Sequence, residues 1–157
     1  MTRAWRRVRA VAVAVHSPRG AWLALRMVGW ALVLPVLKVR MPLERLVAVM
    51  WTDARHERDR DVAGERQVVR LASMSHRAIT VGRRDNCLER SLIAYRHLAA
   101  RNAGPLLVLG ARTGPGGMEG HVWVTVDGEP VHDAPEEIAT YVPLTAFGVR
   151  GHRNAVG

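Results

Sequence analysis

Apolar and polar residues alternate along this chain in two distinct rhythms. Residues 19–34 carry an almost unbroken apolar run, and Ser17-Pro18 opens it as a helix start. Pro35 is expected to bend or stop that helix. Pro42 suits the first turn of a second helix over 42–54, where Leu43, Leu46, Val47 and Met50 share a face. Residues 55–66 are polar and read as a linker or an exposed helix end; 65–78 returns to helical periodicity through Val68, Val69, Leu71 and Ala72. GRRDN at 82–86 reads as a turn. In the following segment Leu88, Leu92, Tyr95 and Leu98 recur at intervals of 4, 3 and 3, which predicts an amphipathic helix halted by Asn102 and Gly104.

After residue 104 the rhythm changes. PLLVLGAR (105–112) is a short apolar run expected to be a buried strand. TGPGGMEG (113–120), with four glycines and a proline, is expected to be irregular, a mobile loop or a lid. HVWVTV (121–126) alternates and is rich in β-formers; Asp127-Gly128 signals a turn, and EPVHD begins a third strand. Residues 1–16 fit strand or helix equally. From residue 65 onward the order predicts an α+β unit with a helix on a small antiparallel sheet, preceded by a helical extension. The expected division is a basic helical region at 1–60, a core at 61–150 and a tail at 151–157.

Composition narrows the classes. A chain of 157 residues with 48% apolar and 24% charged residues is globular. One cysteine excludes an internal disulfide and a CxxC zinc site, and no metal or other cofactor is expected. The net charge of +9 is unevenly spread: residues 1–60 hold 12 Lys/Arg and 4 Asp/Glu, residues 61–157 hold 11 and 10. Partners of the basic part could be an acidic protein or peptide, an anionic membrane surface or nucleic acid. Nucleic acid ranks last, because long apolar runs interrupt the basic residues and no zinc-finger or RNP motif is present. RAWRRVR followed by AVAVAV resembles a signal peptide, but the run is short and no small-residue cleavage site follows. Arg26 and Pro35 interrupt residues 22–37, which read as a buried or interfacial helix rather than a transmembrane span. The expected location is the cytoplasm.

The candidate chemistry centres on Cys87. A thiol at a helix N-terminus, with Arg83, Arg84 and Arg90 close in sequence, is placed for a lowered pKa, although a lone cysteine is usually just a small buried residue. A nucleophilic thiol needs a base, and the base an orienting acceptor. His97 is about ten residues along the same helix, ~15 Å away. His16 and His56 belong to the basic region and His152 to the tail. His121, opening a strand, can be presented to the helix end. A two-residue turn at Asp127-Gly128 would put Asp133 on the face opposite His121. A three-residue loop, Val126 to Gly128, would put His121 directly across from Asp133 and turn His132 to the other face. The second register is the one expected. A metal site made of Cys87, His121 and His132 matches no zinc spacing, and the glycine-rich stretch lacks a phosphate loop's ending.

Three blocks carry a resemblance. Cys87-Leu88-Glu89-Arg90-Ser91-Leu92, Leu107-Val108-Leu109-Gly110, and His121-Val122-Trp123-Val124 through Gly128 to Asp133 resemble the transglutaminase-like leader peptidases of lasso-peptide biosynthesis, similar to the C-terminal domain of the microcin-processing B protein. The resemblance covers roughly residues 65–140. Val122 stands where that family often has alanine. The resemblance implies a papain-like cysteine protease fold with Cys87 as nucleophile, His121 as base and acid, and Asp133 orienting His121. It implies removal of the leader from a ribosomally made precursor peptide by the stand-alone protease half of a split B protein. A separate leader-recognition protein and an ATP-dependent lasso cyclase are the partners it implies. The alternatives are an inactive, scaffold-like peptide-binding module of the same fold and a thiol acyltransferase or transglutaminase, in which an amine rather than water takes the acyl group.

Overall fold

The computed structural model describes residues 18–53, 60–79 and 87–154. The expectations for residues 1–16, for the polar stretch at 54–59 and for the turn at 82–86 lie outside them.

The first helix, α1, runs Pro18–Arg40, continuing through Pro35. Proline removes only one helical hydrogen bond and clashes one turn back. Tertiary contacts outweigh that loss: Leu23, Met27, Ala31 and Leu34 form one buried stripe, and Lys38 in the last turns is tied to Glu89 at 2.7 Å. Helix α2 spans Leu43–Met50, shorter than the expected 42–54, with Pro42 as its N-cap and Trp51 as its C-cap. Helix α3 spans Val62–Ile79. It starts three residues earlier than its apolar periodicity suggests, because Asp61 caps it: the Gly64 N–H donates to Asp61 Oδ1 at 2.8 Å. Helix α4 is Cys87–Ala99, and Asn102 and Gly104 follow it with positive φ.

The sheet contains β1 (Leu106–Gly114), β2 (Gly117–Val126), β3 (Glu129–Pro130), β4 (Val142–Phe147) and β5 (Arg153–Asn154), in the order β3-β2-β1-β4-β5 with antiparallel pairing throughout. A short helix, α5 (Pro135–Ile138), precedes β4, and a 3-10 turn (Val149–Gly151) precedes β5. Two sequence expectations fail here. Residues 113–120 are not an irregular loop. Pairing continues to Gly114↔Gly117, leaving only Pro115-Gly116 as the turn, so a two-residue connection absorbs the proline and one glycine while the others sit in strands. The second hairpin also has a two-residue turn, with Val126 opposite Glu129. Asp127 and Gly128 have φ of 53° and 84°, the paired positive values of a type I′ turn, whose twist matches that of the flanking strands.

One core joins helices α1 to α4 to one face of the sheet, from Met27 and Leu46 through Leu71 and Leu92 to Val124 and Phe147. A smaller cluster of Val108, Trp123 and Ala146 lies on the other face under Ile138 and Tyr141. The chain is thus α+β, with helices packed on a small antiparallel sheet.

Candidate active site

Strand β3 is two residues long, so among the described residues most of the edge of β2 has no neighbouring strand. The first turns of α4 take that place. Cys87, Arg90 and Ser91 stand at i, i+3 and i+4, on one helix face. The Ser91 hydroxyl donates to the Val122 carbonyl at 2.9 Å, and the Val122 backbone also bonds the Cys87 sulfur. Two side chains one turn apart thus engage the backbone of one residue, Val122, and fix the thiol beside the middle of β2. Leu88 and Leu92 hold the helix on the core.

His121 directly precedes Val122. Its imidazole hydrogen-bonds the Cys87 thiol, and its Nε2 lies 3.5 Å from Asp133 Oδ1, a long ion-pair contact rather than a tight hydrogen bond. With Nε2 turned to the carboxylate, Nδ1 is left for the sulfur. Asp133 arrives by a different route from the one the sequence suggested. In the register that forms, an extended third strand would put it on the wrong face. The strand ends instead at Pro130, with one further bond from the Val131 N–H to the Val124 carbonyl at 3.0 Å, and residues 131–133 bend Asp133 back to His121.

The sequence reading missed the role of Arg90 beyond its charge. Its Nη2 donates to Asp133 Oδ1 at 2.6 Å, the same oxygen that faces His121, with the carboxylate side chain only 6% exposed. Arg90 therefore anchors the carboxylate on α4 while His121 approaches it from β2. The signal was available: a cation three residues after the thiol shares its helix face. Tyr141 was also missed, and no local pattern marks it. Its ring stacks on His121 at 5.1 Å, with Trp123 on the same imidazole at 6.1 Å. Arg112 lies over Tyr141 at 4.5 Å. Gly110, opposite His121 in β1, makes room for this stack. A Cβ there would come within 2.7 Å of the Trp123 ring and 2.8 Å of the Val142 carbonyl.

The electrostatics follow from these contacts. Burial pushes the Cys87 thiol up, but the His121 hydrogen bond, the Val122 backbone and the charges of His121 and Arg90 outweigh it, and the net shift is downward from 9.0. His121 is raised to about 9, first by Asp133 and then by the Cys87 sulfur, against the cost of burial. Burial would likewise raise Asp133, yet His121 and Arg90 hold it below the usual carboxylate range. The arrangement favours a thiolate beside an imidazolium. Burial lowers His97 to about 3 and His132 to about 4, so both are neutral at ordinary pH. Among the described residues, no group of three or more His, Cys, Asp or Glu side chains could hold a metal ion.

Searches of curated proteins and of solved structures returned no match. The model of the transglutaminase-like superfamily matches residues 24–146, a span that begins inside α1 and ends in β4. That fold is commonly one of cysteine proteases and acyltransferases. With most of its length matched, including the strands and helix that carry the thiol, imidazole and carboxylate, the chain belongs to the transglutaminase-like superfamily.

Proposed function

We propose that this protein is a cysteine peptidase that removes the leader from a lasso-peptide precursor, with Cys87, His121 and Asp133 as its catalytic triad. The observation that carries the chemistry is the contact of one imidazole with a sulfur and a buried carboxylate at once. The choice of substrate rests on the resemblance of the three sequence blocks to the leader peptidases.

In this mechanism the Cys87 thiolate attacks the carbonyl carbon at the leader's end, and a C–S bond forms. The oxyanion is met by the Cys87 N–H at the start of α4. The His121 imidazolium gives its proton to the leaving nitrogen as the C–N bond breaks, releasing the core peptide. Neutral His121 then deprotonates a water molecule, which attacks the thioester and frees the leader acid and the thiolate. Asp133, steadied by Arg90, keeps His121 oriented and stabilises its charged form. A separate leader-recognition protein would deliver the precursor, and an ATP-dependent cyclase would close the ring of the released core.

The test is to mix the protein with a leader-recognition protein and a candidate precursor and to follow leader release by mass. The expected result is a cut at one peptide bond, lost in Cys87→Ala while its melting temperature stays close to that of the parent. Cleavage by the Cys87→Ala variant would remove the mechanism. Joining of the acyl group to an added amine in preference to water would make the protein an acyltransferase.

A further inference from the structure

Helix α1 has two apolar faces. At 100° per residue the buried stripe of Leu23, Met27, Ala31 and Leu34 lies roughly 180° from a second stripe made of Trp22, Leu25, Leu32, Val33, Val36 and Val39. The second stripe is open, with Leu25 60% and Val39 82% exposed. From residue 22 to 39 every exposed position of the helix is apolar or Gly29. At 1.5 Å per residue the stripe is about 26 Å long. A surface helix normally turns its polar residues outward, so this face has the composition of one that meets something apolar.

We propose that the outer face of α1 docks on an anionic lipid surface, with the helix lying in the plane of the membrane interface. Three features favour lipid over a protein partner. The stripe offers no hydrogen-bonding side chain except the Trp22 indole, whereas protein interfaces use a polar rim and about one hydrogen bond per 100–200 Å². The helix carries no acidic residue, and its exposed cations, Arg19 and Arg40, stand at its two ends, a charge that matches anionic headgroups, while Lys38 is held by Glu89. Trp22 stands near one end of the stripe beside Arg19, and Arg40 closes the other end, as interfacial residues flank a shallowly inserted helix. A membrane span does not fit: Met27 and Leu34 on the opposite face are fully buried against the rest of the fold. The docking does not depend on the proposed peptidase activity.

The experiment is co-sedimentation of the full chain with vesicles of phosphatidylcholine alone and of phosphatidylcholine with 30% phosphatidylglycerol, at low and moderate salt. The comparison variant is Leu25→Gln/Leu32→Gln/Val36→Gln, which leaves the net charge unchanged. Its unfolding curve, expected to match the parent's, establishes that it folds. The parent should bind the anionic vesicles, and the triple variant should bind about tenfold or more weakly. A blue shift of tryptophan emission on binding should be largely lost in Trp22→Phe. The inference is overturned if the parent does not bind anionic vesicles, whether because another part of the chain covers the stripe or because light scattering shows a dimer that the triple variant dissolves. Equal binding by parent and triple variant would also overturn it, since diffuse charge would then be sufficient.

Discussion

Two imidazoles on neighbouring elements, one buried and one half-buried, are driven in opposite directions. His121 is raised to about 9, while His97, at the far end of α4, is lowered to about 3. Burial opposes the charged form at both. His97 is 2% exposed, and the charges acting on it are those of Arg26, Arg101 and Arg96, all positive. His121 has a carboxylate on one nitrogen and a sulfur on the other. Burial is the largest influence on His97 and nothing offsets it, whereas at the less buried His121 the carboxylate and the sulfur outweigh it, so depth and partners together decide which histidine can hold a proton at neutral pH. One end of α4 is therefore chemically poised and the other is packed core.

The comparison breaks most severely if the acceptor is removed. Asp133→Asn should lower peptidase activity by about 10²–10⁴-fold, and the alkaline limb of its pH–rate profile should move to lower pH as His121 loses its first stabilising partner. Steady-state kinetics between pH 5 and 10 check both. Unchanged activity would mean that the long Nε2 contact does not matter. Next in size is Arg90→Met. It strands a nearly buried carboxylate and should cost about 3 kcal/mol of stability in chemical denaturation, with a smaller loss of activity than Asp133→Asn.

How far the sequence itself foretold this site depends on what fixes each residue. Cys87, Arg90 and Ser91 are set by helical periodicity, so their shared face can be read from spacing alone. That His121 lies in a strand was legible in the alternation of HVWVTV, but the strand begins at Gly117, so His121 stands in its middle and does not open it. The meeting of Asp133 with His121 was expected for a reason that fails. The register favoured from sequence needed a three-residue loop, whereas the type I′ turn forms and a bend after Pro130 returns Asp133 to the same imidazole. Spacing along the chain bounds such a meeting without fixing its path. The glycine-rich stretch misled for a related reason. Glycine and proline lower strand propensity, but pairing along Ala111–Gly114 with Gly117–Gly120 overrides it. Pro35 shows the same override in a helix, and Tyr141 comes to the site only through tertiary packing.

Smaller effects sharpen the comparison through pH. For His121 the folded pKa lies above its ordinary 6.5, so its contribution to stability is full below about 6.5 and is lost as pH rises through about 9. For His97 and His132 the folded values of about 3 and about 4 lie below 6.5, so stability is present above 6.5 and falls as pH drops toward 4 and the unfolded chain takes up protons that the folded one refuses. Melting temperatures across pH 4–10 should therefore decline on both sides of neutrality. In His97→Leu the acid-side decline should be shallower and the alkaline side unchanged. The smallest expected change is in Val122→Ala, which keeps the backbone groups that bind Ser91 and Cys87. It should leave activity within about threefold, with a stability loss of about 1 kcal/mol for the methyl groups removed beside the core.

The most direct measurement is the alkylation rate of Cys87 by iodoacetamide as a function of pH. This is the chain's single cysteine, so every adduct reports on it. A thiolate held by the His121 imidazolium predicts rapid labelling that persists well below pH 8, and a profile that moves up toward an ordinary thiol's range in His121→Ala. A parent profile rising only near pH 9, unmoved by that substitution, would contradict the account.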